Sequence, residues 1–592
     1  MQCFDYPLDT EQLLRKKRRI RRELTAQLTN PLHKKIAILG GSTTNEVADQ
    51  LGLFLLNYGI EAEFYQSEYG QYWQDAMFGS PELDEFHPDV IYIHTSWRNI
   101  TAFPTTADTP ETVQAMLDAE ASRFEAMWQA LEQKFGCPII QNNFDRPNYR
   151  LMGNRDIWDP RGRSNFISRL NQRFYDYAAA HEHFYLNDLD YLSADYGLTA
   201  WGDAFFWHMY KYAMCLDAIP SVANSVANII KSLYGRNKKA LVLDLDNTLW
   251  GGIVGDDGVD GLAIGPEVPE GQVYAEFQSY CKALKSIGVI LAVDSKNEET
   301  NALAGLNHPD GVLRPEDFVV IKANWEPKDQ NLKAIAAELS LGADSFVFAD
   351  DNPAERAIVA AQVPGAAVPV LDGAENYIKT LDHGGYFEVT ALSKEDLNKT
   401  ALYHAKAQAA AAQAAFADYG EYLESLEMTA VIRRFEPLYM QRIAQLTNKS
   451  NQFNLTTLRC SEDDIRRMAE SGDHLCLYGK LADKFGDNGV VTVMDGVQQG
   501  TTLTLELWLM SCRVLKRGME DAMMDAVVSD AAARGVTTVV GWYYPTAKNA
   551  MVRDFYAQMG FTKVSEGENG TTEWRLNVAD YRPRGPHMKI ER

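Results

Sequence analysis

The stretch ALVLDLDNTLW, Ala240–Trp250, constrains the fold more than any other part of the chain. It is apolar without alternation as far as Leu243, which marks a strand buried on both faces and hence a parallel sheet covered by helices. Residues two apart on a strand face the same way, so Asp244 and Asp246 emerge side by side at its carboxyl end. That is the edge where open α/β sheets place their ligands. Two carboxylates alone there would repel, and one would be driven toward its neutral form. A divalent cation removes the conflict, and hard oxygen donors suit Mg2+.

The apolar runs recur downstream as GVILAVDSKN, DFVVIKANW, DSFVFADDNPAER and AVPVLDG. Ser295 closes the first of these, Lys328 lies in NWEPKDQN, and Asp350 and Asp351 close a third run. Phosphoryl transfer needs a nucleophile, a proton donor for the leaving group, a hydroxyl and a cation on the phosphoryl oxygens, and a metal. DxDxT by itself reads as readily as a turn with a helix cap. With Ser295, Lys328 and the Asp350–Asp351 pair following in that order, the turn reading loses its force.

This constellation resembles the haloacid dehalogenase (HAD) superfamily. Through LVLDLDNTLWGGIVGDDG, SKNEE, NWEPKDQNL and FVFADDNPAER it resembles the FkbH-like proteins of subfamily IIIC. The resemblance implies that Asp244 is the nucleophile that becomes an aspartyl-phosphate, and that Asp246 is first general acid and then general base. It implies that Thr248 and Ser295 hold phosphoryl oxygens and that Lys328 neutralises them. Mg2+ would be bound by Asp244, the Asp246 carbonyl and Asp350, with Asp351 in support. The interval from Asp246 to Ser295 is 49 residues, and a helix is predicted over Gln272–Ile287. That leaves no room for a large cap domain, so an open site is expected.

Upstream, KKIAILGG (Lys34–Gly41), PDVIYIHTS (Pro88–Ser96) and CPIIQNNFD (Cys137–Asp145) alternate with helical stretches, again predicting a parallel sheet. This segment resembles SGNH hydrolases. Ser42 stands at the nucleophile's turn after the first strand, and Asn143 falls near the position of the oxyanion-hole Asn. The family's Gly-Asp-Ser is Gly-Gly-Ser here, and its closing Asp-x-x-His is approximated only by Asp203 and His208 in WGDAFFWH. An esterase and a degenerate domain used for binding or assembly both stand as readings. Downstream, Glu506–Met523 and Pro545–Phe561 resemble the GNAT acyltransferase fold. That resemblance offers Arg513, Lys516, Arg517 and Gly518, at a helix N-terminus, for the phosphates of coenzyme A or a phosphopantetheine arm.

At 592 residues the chain exceeds one core, since domains run to roughly 150 residues. The expected architecture is α/β with three domains: an SGNH-like parallel sheet over 1–235, a HAD-like Rossmannoid core without a large cap over 236–375, and a GNAT-like α+β domain over 431–592. A helical connector over 376–430 includes the Ala-rich Ala405–Tyr419. The net charge of −24 disfavours nucleic acid and anionic membrane as partners. Seven scattered cysteines without a CxxC pair point to a reducing, cytoplasmic setting. No run of about 18 apolar residues occurs, so no membrane span is expected. The basic run Arg15–Arg22 reads as the solvated face of an amphipathic helix around Leu13, Leu14 and Ile20.

The function expected is therefore a Mg2+-dependent phosphatase acting on a phosphorylated small molecule. The FkbH resemblance extends this to a glyceryl unit taken from 1,3-bisphosphoglycerate, dephosphorylated and passed to an acyl carrier protein. The family pattern has ICSKN, whose Cys is a candidate thioester carrier. This chain has AVDSKN, with Asp294 in that place, and a carboxylate cannot carry an acyl group as a thiolate does. Two alternatives stand beside this reading. One is an acyltransferase that works through the GNAT-like domain with an auxiliary HAD domain, and the other is a non-catalytic multidomain binding platform.

Overall fold

A computed structural model describes residues 2–28, 30–392, 397–403, 405, 419–450, 452–511, 514–546 and 548–592. The chain divides into two compact units, Met1–Leu233 and Tyr234–Arg592. The Ala-rich stretch expected to be helical lies almost wholly outside the described residues.

The first unit is built on β1 (Leu32–Gly40), β2 (Ile60–Gln66), β3 (Val90–His94), β4 (Ile139–Asn142) and β5 (Phe184–Asn187), in the order β2-β1-β3-β4-β5. All neighbours are parallel. β3 is buried at every position, which is why VIYIH carries no polar alternation. The helix Pro110–Phe135 starts on a Thr109 cap with proline in its first turn and stops at Gly136 in the left-handed region. It lays Trp128 against Phe184, Tyr177 and Phe174 at ring distances of 4.5, 4.6 and 4.8 Å. Near the amino terminus the basic run falls on two helices, Thr10–Arg15 and Lys17–Gln27, with Leu13 and Ile20 buried, Leu14 half-buried, and Arg18, Arg19 and Arg22 facing solvent.

The second unit holds two sheets. The first contains β6 (Ala240–Leu243), β7 (Ile290–Ser295), β8 (Val320–Ala323) and β9 (Phe346–Ala349), all parallel in the order β8-β7-β6-β9. Its register sets Leu243 beside both Val293 and Ala349. Asp244 and Asp350, which follow Leu243 and Ala349, therefore leave the sheet at one edge, level with Asp294 inside β7. AVPVLDG contributes only an isolated bridge, Val347 to Ala367, instead of a strand. Between β6 and β7 the chain forms the short helix Val254–Asp257, a 3-10 turn, a Gly251–Ala263 bridge and the helix Pro269–Ser286. That helix begins ahead of the predicted Gln272 because Pro269 takes its first turn, where a missing N–H costs nothing. No further sheet is inserted there among the described residues.

The other sheet comprises β10 (Thr429–Arg434), β11 (Phe453–Asn454), β12 (His474–Asp483), β13 (Gly486–Gln499), β14 (Thr502–Met510), β15 (Thr538–Tyr543), β16 (Thr562–Glu566), β17 (Thr572–Asn577) and β18 (Lys589–Glu591). Its order is β16-β17-β15-β14-β13-β12-β10-β18, with β11 beside β14. Most pairs are antiparallel, but β14–β15 and β10–β18 are parallel. The helix Met519–Ala533 buries Met519, Met523, Met524 and Val527 in the same core as Trp508.

Candidate active site

Strand ends and the turns after them assemble the charged edge of the four-stranded sheet. Asp244 donates its backbone N–H to Ala349 O at 3.0 Å, which ties the end of β6 to the end of β9. Lys328 opens the helix Lys328–Leu339. Its buried ammonium lies 2.8 Å from Asp244 Oδ2 and 2.6 Å from Asp350 Oδ2. Oxygens of Asp244, Asp350 and Asp351 all fall within 4.8 Å of one another. Thr248 and Asp351 are coupled, the Asp351 N–H donating to Thr248 Oγ1 at 3.2 Å. Ser295 Oγ accepts from Asn297 Nδ2 at 3.3 Å, and Ser295 is close enough to Asp244 to work against the rise in its pKa. Asp244, Thr248, Ser295, Lys328, Asp350 and Asp351 are thus brought together.

Burial raises the pKa of Asp244 and of Asp350, and Lys328 works against that rise in both. Asp351 is raised too, by burial first and then by the Asp244 charge. The three carboxylates share one lysine, so the set carries excess negative charge in a low-dielectric place. That donor chemistry, carboxylate oxygens only, fits a hard divalent cation.

The Asp246 carboxylate lies outside this three-carboxylate cluster. Its Oδ1 accepts from Trp250 Nε1 at 2.9 Å and from the Val254 N–H at 3.0 Å. Its Oδ2 accepts from Asn297 Nδ2 at 2.7 Å. Asn247 makes the turn possible with a left-handed φ of 54°, a conformation that Asn tolerates better than most residues. Its carbonyl accepts from the hydroxyls of Tyr274 and Tyr377. Sequence reasoning missed Asn297, although it stands two residues beyond Ser295 in SKN, where the loop returns to the same edge. It also missed Arg356, which donates to the carbonyls of Asp350 and Asp351 at 2.7 and 2.6 Å and fixes their loop.

Asp294 is fully buried. One oxygen accepts from Asn331 Nδ2 at 3.1 Å and the other has no partner. Burial pushes this carboxyl up from 3.8 to about 8. Because the folded-state value is raised, the stability it contributes is complete below about pH 4 and is lost as pH rises through about 8. Asp294→Asn should therefore flatten the pH profile. Between about pH 6 and pH 8 the metal-free wild type should lose about 1–3 kcal/mol more than the variant, read as a steeper fall in Tm. Parallel Tm profiles would show that Asp294 does not titrate in this window.

The first unit treats its predicted residues differently. Gly40 and Gly41 are required by close approach. A Cβ on Gly40 would sit 2.6 Å from Thr44 Cγ2, and one on Gly41 would sit 2.3 Å from Asn99 Nδ2. Ser42 is buried and its Oγ has no hydrogen-bond partner. Asp203 instead caps the helix Ala204–Tyr210, accepting from the Phe206 N–H at 3.0 Å, and His208 lies in that helix's last turn. Asn143 donates to Tyr175 Oη and Asp188 Oδ1. No hydrogen bond joins Ser42 to Asp203, His208 or Asn143 among the described residues. The polar network at this sheet edge centres on His94, which contacts Tyr92 Oη at 2.8 Å and Asn142 Nδ2 at 3.2 Å. Burial pulls His94 down to about 4.

In the C-terminal sheet, Arg513 lies outside the described residues. Arg517 is paired with Asp483. Gly518 is the N-cap of the helix Met519–Ala533 at φ 82°. Glu520, in the first turn of that helix, has its carboxyl raised by burial, and one of its oxygens has no hydrogen-bond partner.

Residues 35–231 match the family described as FkbH, N-terminal domain. Among solved structures, the chain is similar to the N-terminal part of protein BF1531 from Bacteroides fragilis, which contains a phosphatase domain and was determined in complex with Mg. Identity is 29% and the TM-score 0.59, over 64% of this chain and 99% of that one. It is also similar to a GNAT-family acetyltransferase from Streptococcus pneumoniae, at 14% identity and TM-score 0.21 over 25% of this chain and 98% of the other. Spermidine N-acetyltransferase from Vibrio cholerae matches at 9% and 0.21, over 26% of this chain and 97% of the other. No curated protein matches the sequence. No helix among the described residues is long and apolar enough to cross a membrane. Residues 35–231 are thus similar to an FkbH N-terminal domain, and the parallel sheet that gathers Asp244, Lys328 and Asp350 at one edge lies in a chain similar to a structure that contains a phosphatase domain.

Proposed function

We propose that the chain is a Mg2+-dependent phosphatase of phosphorylated small molecules, working through an aspartyl-phosphate on Asp244. The observation that carries this reading is the buried Lys328 ammonium held between Asp244 and Asp350, with Asp351 close by. Asp244, Asp350, Asp351 and the Asp246 carbonyl would hold Mg2+. Bound there, the ion supplies positive charge to the phosphoryl oxygens.

Asp244 attacks phosphorus, forming an acyl-phosphate bond as the bond to the leaving oxygen breaks. Lys328, Ser295 and Thr248 stabilise the charge on the phosphoryl oxygens. Asp246 gives its proton to the leaving oxygen. Its Oδ1 already accepts two hydrogen bonds and its Oδ2 one, so the lone pair left for that proton is on Oδ2. Asp246 then takes a proton from water, whose oxygen attacks phosphorus, restoring Asp244 and releasing phosphate.

The stretch between β6 and β7 carries only short elements and one helix, which supports an open site. Onward transfer of a glyceryl unit to an acyl carrier protein is not part of this proposal. The thiol it would need is replaced by Asp294, a buried carboxyl bonded to Asn331. The pairing of Arg517 with Asp483 likewise gives the coenzyme A reading no support.

The test is phosphate release from aryl phosphates and a panel of small phosphate monoesters. Activity should vanish on chelation and return with Mg2+. Turnover unaffected by chelation would overturn the proposal.

A further inference from the structure

A second group of metal-ligating side chains lies in the C-terminal sheet, away from the residues assigned above. His474 and Cys476 are two apart on β12 and face the same way. Asp495 on β13 is the direct cross-strand partner of Cys476, so all three side chains share one face. A register shift follows Asp495 in its pairing with β14, the kind of irregularity that re-aims a side chain. The result is convergence. His474 Nδ1 lies 3.0 Å from both Asp495 oxygens, the Cys476 thiol donates to Asp495 Oδ1 at 3.1 Å, and the three ligand atoms fall within 4.8 Å of one another.

Among the described residues, the charge on Asp495 is met by the His474 imidazole and no arginine or lysine. Asp495 is fully buried, and its ion-pair partner is His474 at 3.0 Å, which supplies a countercharge only when its ring is protonated. Two arginines lie near, but both are directed elsewhere. Arg434 pairs with Asp530 at 3.6 Å, and Arg534 donates to the His474 carbonyl at 2.8 Å. The hydrogen bonds that the Asp495 carboxylate accepts, among the described residues, come from His474 and Cys476 alone. A thiolate and a carboxylate together carry two negative charges, which a divalent ion neutralises. One nitrogen, one sulfur and one oxygen donor make a borderline-soft set, distinct from the all-oxygen set at Asp244.

We propose that His474 Nδ1, Cys476 Sγ and the Asp495 carboxylate form a second divalent-metal site of the type Zn2+ favours, with the fourth position open to water. His474 retains 17% side-chain exposure, which gives the ion and that water a route in. On binding, the Cys476 thiol proton, and any proton on His474 Nδ1, pass to solvent.

The test uses the full-length, metal-stripped protein in saturating Mg2+, titrated with Co2+ and then with Zn2+. The wild type should develop a near-ultraviolet thiolate-to-cobalt charge-transfer band with visible ligand-field bands, saturating at one equivalent and bleached by Zn2+. Cys476→Ser should abolish the charge-transfer band. His474→Ala should weaken Co2+ binding by roughly 100-fold, in line with the loss of one of three protein ligands. No charge-transfer band in the wild type at saturating Co2+ would overturn the site whatever the variants do. So would an undiminished band in Cys476→Ser. Circular dichroism checks that Cys476→Ser folds. If it does not, His474→Ala decides alone, with unchanged Co2+ affinity overturning the proposal.

Discussion

Asp244→Asn is expected to lower Mg2+-dependent phosphate release by about 10³-fold or more, with the fold intact. The substitution keeps the shape of the side chain, so β6 and its register beside β7 and β9 should persist. What disappears is the anionic oxygen that attacks phosphorus, together with one of the three carboxylates of the cluster. Loss of kcat with an unchanged Tm separates this chemical effect from unfolding. Turnover within a few-fold of wild type would remove Asp244 from the reaction.

Lys328→Met should show the second large effect, on stability and activity together. The ammonium is the shared partner of Asp244 Oδ2 and Asp350 Oδ2, and its side chain is 3% exposed. Methionine fills the same space but leaves two buried carboxylates without their countercharge. Breaking a buried pair in this way costs about 3–5 kcal/mol. Part of the lost stability should return at saturating Mg2+, because a bound divalent ion neutralises the same oxygens. Activity should fall by about 10²–10³-fold even in the refolded, Mg2+-saturated protein, since the charge facing the transferring group is gone. The check is Tm and phosphate release measured with and without Mg2+. An unchanged Tm in metal-free buffer would contradict the role given to Lys328.

The charged edge of the four-stranded sheet was largely legible in the sequence because Asp244, Ser295 and Asp350 stand at the ends of apolar runs. β6 and β9 end at Leu243 and Ala349, each followed at once by a carboxylate of the cluster, and β7 ends on Ser295 itself. Asp294 could be placed from its run but not understood, since its unpartnered oxygen depends on what packs over it. Asn297 and Arg356 were not legible, for their partners are reached through loops that no spacing rule fixes. The same limit applies to the His474–Cys476–Asp495 group. Cys476 and Asp495 meet only through a cross-strand register, which pattern alone does not supply.

In the first unit the tight turn around Ser42 forms, while Asp203 and Asn143, read as its partners, are hydrogen-bonded elsewhere. Gly40 and Gly41 preserve the tight approach to Thr44 and Asn99, yet Ser42 Oγ meets no base. Asp203 had a second use that a sequence pattern cannot reveal, since it accepts from Phe206 as a helix cap.

The most direct test of the account is to trap the covalent intermediate. Enzyme turning over an aryl phosphate in Mg2+ is acid-quenched and reduced with borohydride, which converts an aspartyl-phosphate to homoserine, and its peptides are read by mass spectrometry. The account predicts that this mark appears at position 244, requires Mg2+ and is absent from unreacted protein. Sustained turnover with position 244 unmarked, or with the mark on another carboxylate, would contradict it.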